Sequence, residues 1–389
     1  MTLRRSLVLA VVGTAAASVA VPGTASAAAP VSRTLTSCNG AQLQQAVAQV
    51  NSNSGGGSVK LKRGCTYRLT QADPAGTPNG FTQITNSSGV TIQGNGATIK
   101  RDSASKFRFF EVLSGGVLTL DHVTLTNGHA ASPANAAVGG AVWLHGGQVT
   151  ISRSCLKRNT ADLEGGALDN DSSLMTVTDS TVEDNSVVHR ATSPFGAFGG
   201  GLASAAGATT VFNNSSITKN TVVSKGADRS AGGGIEVDLS TVRLNRSLVS
   251  HNRVTGPDAR GGGIVSQNGS LATLDHTKVI DNKVTGSVAA LGGGIYNDST
   301  LELTDSPVGA DSQGNSAKGD GGPGQGGGIF NGGIGTATLT RSPVQFNRAS
   351  GTPGDGGGIF NSSAPGNVTL TDSPVRKNRP SDCVNVIGC

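Results

Sequence analysis

The sequence predicts a right-handed parallel β-helix, an all-β solenoid of about 9–11 coils with a short N-terminal capping helix. Three observations carry this prediction. First, a Gly-Gly-(Ala/Gly)-aliphatic tetrad occurs eight times between Gly139 and Ile359, placing Val142, Leu168, Leu202, Ile235, Ile264, Ile295, Ile329 and Ile359 in equivalent positions 26 to 34 residues apart. Second, an asparagine follows each by 17 to 20 residues: Asn159, Asn185, Asn220, Asn252, Asn282, Asn315, Asn347 and Asn378. Third, alternating Val, Leu and Thr runs lie between the two marks, so one face of each run points inward.

The elements follow in order. Residues Met1 to Ala27 read as a secretory signal peptide: Arg4 and Arg5, an apolar stretch from Leu7 to Val21, then Ala25-Ser26-Ala27 as a cleavage site. The arginine pair leaves general secretory and twin-arginine export both open. Residues 28–70 are expected to form an N-terminal cap. Within it Leu43, Ala46, Val47 and Val50 share one face of a helix over Gln42 to Val50, with Asn39 or Ser37 as its cap. Gly55-Gly56-Gly57 ends that helix, and Ser58 to Leu61 and Tyr67 to Leu69 read as the first strands. The helix would cover the first rung, whose backbone edge would otherwise face water.

The β-helix proper is expected over 71–378, with a C-terminal tail over 379–389. Val90 to Ile99, Phe107 to Val112, Val117 to Leu120 and Val123 to Leu125 continue the strands, and Asn127 is read as one further member of the asparagine series. Later units have three parts. A Gly-tetrad strand such as Gly292 to Asn297 comes first, then an alternating strand such as Leu301 to Thr304 ending at Asp305-Ser306-Pro307, then an aliphatic-x-x-Asn strand such as Val375 to Asn378. A run of hairpins is the competing arrangement, but Asn-Gly falls between the first two strands in only two units, at Asn268-Gly269 and Asn331-Gly332. Stacked coils pair every strand in parallel, with the hand set by the crossover rule and a rod of roughly 45–50 Å. The glycines suit close backbone approach or positive φ at the turn, and the asparagines suit a stack of side-chain amides. The variable stretches after each asparagine, such as Val187 to Ala197 and Lys318 to Gln325, are expected as loops along one edge.

Composition excludes several classes. The net charge of +5 falls to +3 without Arg4 and Arg5, aromatic content is 3%, and the basic residues are scattered, so no nucleic-acid surface is expected. No later stretch is long and apolar enough to span a membrane, so the mature chain is expected to be secreted and extracellular, and ends blocked by the N-terminal helix and by disulfide staples favour a monomer. Five cysteines fit an oxidising compartment. Cys38 with Cys65, and Cys383 with Cys389, are expected as two end staples, leaving Cys155 as a free thiol at a turn. The six histidines lack metal-ligand spacing with another His or a Cys, and no metal or cofactor is expected.

The Gly-Gly-(Ala/Gly)-aliphatic tetrad with the aliphatic-x-x-Asn half (Leu156, Val182, Ile217, Val249, Val279, Val344 and Val375) resembles the repeat of polymorphic outer membrane proteins and of secreted bacterial β-helix proteins that share it. In the namesake family Phe usually stands at the aliphatic position of the Asn half. Cys38, Gly55 to Gly57 and Gly64-Cys65-Thr66-Tyr67 are similar to the opening of pectin-lyase-like β-helix proteins. The first resemblance implies surface display and adhesion. The sequence reaches Cys389 without that family's C-terminal barrel or a wall-sorting signal, so an anchored form is not expected.

Chemistry is thinly marked. Five acids recur at one turn (Asp121, Asp179, Asp275, Asp305 and Asp372), where an Asx-type turn explains them. Glu164, Asp169, Asp171 and Asp184 form the best carboxylate group for general acid–base work, without the paired-Asp signature of polygalacturonases. The residue after each tetrad aliphatic is Trp143, Asp169, Ala203, Glu236, Val265, Tyr296, Phe330 or Phe360. Asp169 and Glu236 suggest that this file faces water, which would make Tyr296, Phe330 and Phe360 an exposed ligand strip. The sequence therefore favours a secreted, non-catalytic β-helix that binds or coats polysaccharide or cell-envelope material. A polysaccharide lyase or glycoside hydrolase is the alternative.

Overall fold

The computed structural model describes residues 28–74, 76–131, 137–189, 196–226 and 229–389; the expected signal peptide lies outside them. One coil shows how the repeat folds. Ile235–Asp238 forms the tetrad strand, Leu239 turns the chain with positive φ, and Thr241–Asn245 runs along the second face. Arg246 turns it again, Leu248–Ser250 forms the third strand, and His251 turns it into Asn252. Ile235, Val237, Val242, Leu244 and Val249 all point inward and are fully buried. Coils then stack in parallel register, Ile235 beside Leu202 on one side and Ile264 on the other. The tetrad strands build a ten-stranded sheet, and the second and third strands share an 18-stranded sheet that bends at the turn between them.

The tetrad divides its work by position. In Gly261-Gly262-Gly263 the first glycine has φ +58, and a β-carbon on the second would overlap the Gly293 carbonyl oxygen of the next coil. The third position is less confined, and Ala141 and Ala167 occupy it in earlier coils.

The asparagines form a buried ladder. Each Nδ2 donates to the Oδ1 of the next asparagine, at 3.0 Å for Asn220 to Asn252 and for Asn252 to Asn282, and to an aliphatic residue's carbonyl in the preceding coil. Each Oδ1 also accepts the backbone N–H of the asparagine before it. The ladder begins at Gly128, whose N–H donates to Asn159 Oδ1. Asn127 is the left-handed turn residue just before it, at φ 66, so it does not extend the series as expected. At the other end Asp382 Oδ1 accepts from Asn378 N and Nδ2. A second ladder went unread in the sequence. Ser154, Ser180, Ser215, Ser247, Thr277, Ser306, Ser342 and Ser373 lie just after the other turn, each hydroxyl but the first taking the backbone N–H of the member before it.

Two expectations about the turns need correction. Asp179, Asp305 and Asp372 are left-handed turn residues, but Asp121 and Asp275 sit one place earlier, before His122 and His276. The stretches after each asparagine are not mere loops. They stack as arms in a 12-stranded sheet, for example Ser186–His189, Arg253–Arg260 and Lys283–Leu291. Each arm places a small apolar residue two positions after the ladder residue (Ala130, Ala161, Val187, Val222, Val254, Val284 and Ala317), giving the arms their own dry core.

The N-terminal helix spans Gly40–Ser52, capped by the Asn39 side chain, and buries Leu43, Ala46, Val47 and Val50. Pairing starts earlier than expected, with Val31–Thr34 beside Gly57–Lys60. Cys38–Cys65 and Cys383–Cys389 form the two disulfides, and Cys155 is free. Among the described residues no helix is long and apolar enough to cross a membrane. Disulfides and the lack of such a helix are compatible with an extracellular protein.

Candidate functional site

The outer face of the tetrad sheet carries two parallel files. Glu111, Trp143, Asp169, Ala203 and Glu236 lie in register in the first. His145, Asp171 and Ala205 lie in register in the second, and Asp238 with Gln267 continues it. The file was legible in the sequence, but its environment was not. Asp169 is 2% exposed and Glu236 4%, and farther along this face the returning arm residues Phe198, Ala231 and Leu291 pack with Val265, Tyr296 and Phe330.

Three of the four expected carboxylates come together. Glu164 enters from the turn ahead of its tetrad strand, bridging Val138 and Phe198, and acts electrostatically on Asp169 and Glu236. Asp184 does not join them. It is an exposed left-handed turn residue beside Asn185, near Cys155. Sequence reasoning missed Glu236 as a partner, together with Asp238 and Gln267. Their signal was positional: Asp238 and Gln267 follow the tetrad aliphatic of their coils by three residues, as Asp171 does.

Ala203 and Ala205 stand in the coil between, so Asp171 and Asp238 lie two coils, or about 10 Å, apart. Asp171 Oδ2 accepts from Trp143 Nε1 at 3.2 Å, and the Trp143 ring stacks on His145 at 4.6 Å. Arg108, almost fully buried, lies 4.8 Å from the Trp143 ring centre and 3.8 Å from Glu111, which accepts from Asn79 at 2.8 Å. Gln267 Nε2 donates to Glu236 Oε1 at 3.1 Å.

This packing holds protons. Burial, reinforced by Asp171 and Asp238, raises the Glu164 carboxyl to about 7. Burial raises Asp169 well above the carboxylate range, with Asp171 and Glu164 adding to it against Arg108; protonated, it bonds to Asp171. Burial also raises Glu236, with Glu164 and Asp238 adding to it against Arg229. The folded state therefore binds more protons than the unfolded chain above the ordinary carboxylate range, so stability falls as pH rises. Glu164 alone, moving from 4.5 to about 7, accounts for an upper limit of about 3 kcal/mol. The urea midpoint is expected to be higher at pH 5 than at pH 8, and Glu236→Gln should reduce that difference. An equal or higher midpoint at pH 8 would contradict the assignment.

The expected aromatic strip is corrected by the same cover. Tyr296, Phe330 and Phe360 do stack, with centroids 5.3 and 5.4 Å apart. Tyr296 and Phe330 are 5% and 6% exposed, packed with Ala231 and Val265 and flanked by Phe198 and Leu291, so they form no open platform. Asp275, His276 and Asp305 have ligand spacing on the exposed corner, but Arg341 already holds Asp305 with two bonds of 2.8 and 2.7 Å. Burial raises the Cys155 thiol to about 11, which keeps it protonated and poorly nucleophilic.

Residues 52–242 match the family model described as the right handed beta helix region. No curated protein sequence matches the chain. Among solved structures, the A-module of the mannuronan C-5 epimerase from Azotobacter vinelandii is similar in fold, at 15% identity and a TM-score of 0.41, over 90% of this chain and 96% of that one.

Proposed function

We propose that the protein is a polysaccharide-processing enzyme, a glycoside hydrolase whose proton donor is Glu164. The supporting observation is the convergence of Glu164, Asp169 and Glu236, buried or half-buried and with their carboxyls raised above the ordinary carboxylate range, beside the more exposed Asp171 and Asp238. Burying acids costs free energy, and acids shifted in this way cluster at reactive sites. The non-catalytic reading rested on a shortage of converging acids, and that premise is weakened.

Glu164, Asp169 and one of Asp171 and Asp238 divide the chemistry. Glu164 donates its proton to the glycosidic oxygen as the bond to the anomeric carbon breaks. Asp171 or Asp238, as carboxylate, takes the proton of the water that adds to that carbon. Asp169 hydrogen-bonds Asp171 and fixes its direction. Lyase chemistry fits less well, because a uronate substrate needs cations around its carboxylate. Arg108 is buried against Glu111 and Asn79, and Arg229 lies over Phe198.

Purified protein should release reducing ends from at least one polysaccharide in a broad panel. Glu164→Gln should lower kcat about 10²–10⁴-fold with an unchanged circular-dichroism spectrum. Retention on insoluble polysaccharide without product release would return the protein to a coating or binding role. Full activity in Glu164→Gln would remove Glu164 as the donor.

A further inference from the structure

We propose that a file of cations on the arm sheet binds an extended anionic glycan, one bearing carboxylate or sulfate groups. Arg253, Lys283, Ser316, Arg348 and Arg379 each follow a ladder asparagine directly and stand in register, coil after coil. At the spacing of paired strands they span about 19 Å along the rod. Their neighbours Val254, Val284, Ala317 and Ala349 are buried, so alternation turns this file outward. In the sequence the four cations lie a coil or more apart and look scattered; stacking lines them up.

Among the described residues none of the four cationic side chains has an ion-pair or hydrogen-bond partner. Elsewhere the chain pairs its arginines: Arg153 with Asp121, Arg260 with Asp258 and Arg341 with Asp305. In the file like charges sit side by side, Arg253 with Lys283 and Arg348 with Arg379, which opposes the stacking of their coils. The nearby acids do not offset this. Asp281 is shared with His251 at 3.5 Å, Asp320 is held by Lys318 at 2.6 Å, and Asp382 accepts from Asn378. Asp311 is exposed, but it belongs to the coil that contributes Ser316 rather than a cation. Lys377, on the turn before Arg379, adds a further positive charge. A row of like charge without counter-charge concentrates anions along it.

The surroundings favour a glycan as the anion. Two residues along each arm a second outward file runs Thr255, Thr285, Lys318 and Ser350, which sets hydroxyls beside the charges. An acidic peptide would need an open strand edge, and the arms carrying Arg253, Lys283 and Ser316 are paired on both sides. Single-stranded nucleic acid would need open rings for its bases, and the nearby Phe346 already carries Lys377 Nζ at 5.1 Å. A glycan needs only charges and hydroxyls at regular spacing. Because four cations act together, a polymer gains from each successive contact where a free anion meets one or two. The file lies on the 12-stranded arm sheet and the acids on the ten-stranded tetrad sheet, so holding a chain is separable from cutting it.

The test uses the whole protein and four labelled oligomers of similar length, read by fluorescence anisotropy: galacturonate, sulfated dextran, neutral dextran and single-stranded DNA. At low salt at least one of the two anionic glycans should bind about tenfold or more tightly than neutral dextran, and raised salt should weaken it. The tighter of the two identifies carboxylate or sulfate as the group recognised. The doubles Arg253→Gln with Lys283→Gln and Arg348→Gln with Arg379→Gln should each cut that affinity about tenfold, with unchanged circular dichroism. A third double, Arg243→Gln with Arg246→Gln, removes the same charge from the second strand and its turn, and should change it less than about threefold. Failure of both anionic glycans to bind, equal binding of neutral dextran, or an equal loss in the third double overturns the proposal. Tighter binding of the DNA through the same residues overturns it in favour of a nucleic-acid surface. The readout is binding, so a failed hydrolase assignment leaves the file standing, and a failed binding test leaves Glu164 as the proposed donor.

Discussion

Asn252→Ala should destabilise the protein by about 4 kcal/mol or more, the largest loss expected from removing one polar side chain. Asn252 is fully buried, and its amide serves three coils. Its Oδ1 accepts the N–H and Nδ2 of Asn220 at 2.9 and 3.0 Å, and its Nδ2 donates to Ile217 O and Asn282 Oδ1. Alanine strands the Asn220 donors and the Ile217 carbonyl, with no water at hand, at a cost of about 1–3 kcal/mol each. Aspartate would restore the acceptor but not the donors, and would bring a charge into the core. Urea denaturation with an unchanged slope, together with hydrogen exchange of the Asn220 and Asn252 amides, would measure the loss. A change under about 1 kcal/mol would mean that the ladder is incidental to stability.

Gly262→Ala and Gly263→Ala should differ sharply although the residues are neighbours. A β-carbon on Gly262 would overlap the Gly293 carbonyl and stand 2.8 Å from the Lys283 backbone, neither of which can swing aside. The coil must lift from its neighbour, at a cost above about 3 kcal/mol. On Gly263 the same carbon would lie 2.8 Å from the Gly294 carbonyl and 3.0 Å from the Asn282 amide. Natural alanines at 141 and 167 show that the backbone can adjust there, so a loss of about 1 kcal/mol is expected. Equal losses at both positions would refute this division of labour within the tetrad.

The parts of the fold that could be read in the sequence are those where one side chain does a job no other can. Gly262 is required by backbone contact and Asn252 by its pair of donors and acceptors, so each recurs and declares the coil. The serine ladder escaped notice because Thr277 also serves in it and because Ser is common elsewhere in a sequence of this composition. The arms were hidden differently. Their lengths vary, yet Val187, Val222 and Val254 all fall two residues after a ladder asparagine, a regularity masked by the irregular residues beyond.

That omission decided how the site was read. Asp169 and Glu236 were placed correctly in one file, but with the arms taken as loops the file seemed open to water. Covered, the same acids become proton-holding groups, and Tyr296 and Phe330 become packing. Asp184 was drawn in only by its nearness along the chain, and a turn on another face carries it away. Glu236 lies far from Glu164 in sequence, and only the stacking of coils, with one coil between theirs, brings the two into electrostatic reach.

Asp382 has one more consequence. Every amide in the file below it both receives and gives, so an open final amide would offer its pattern to whatever settled on it. A carboxylate can receive from Asn378 but has no N–H to hand on. The relay therefore stops at a group unable to recruit a second copy through the same file, and a structure built by self-repetition carries its own guard against growing into a fibre.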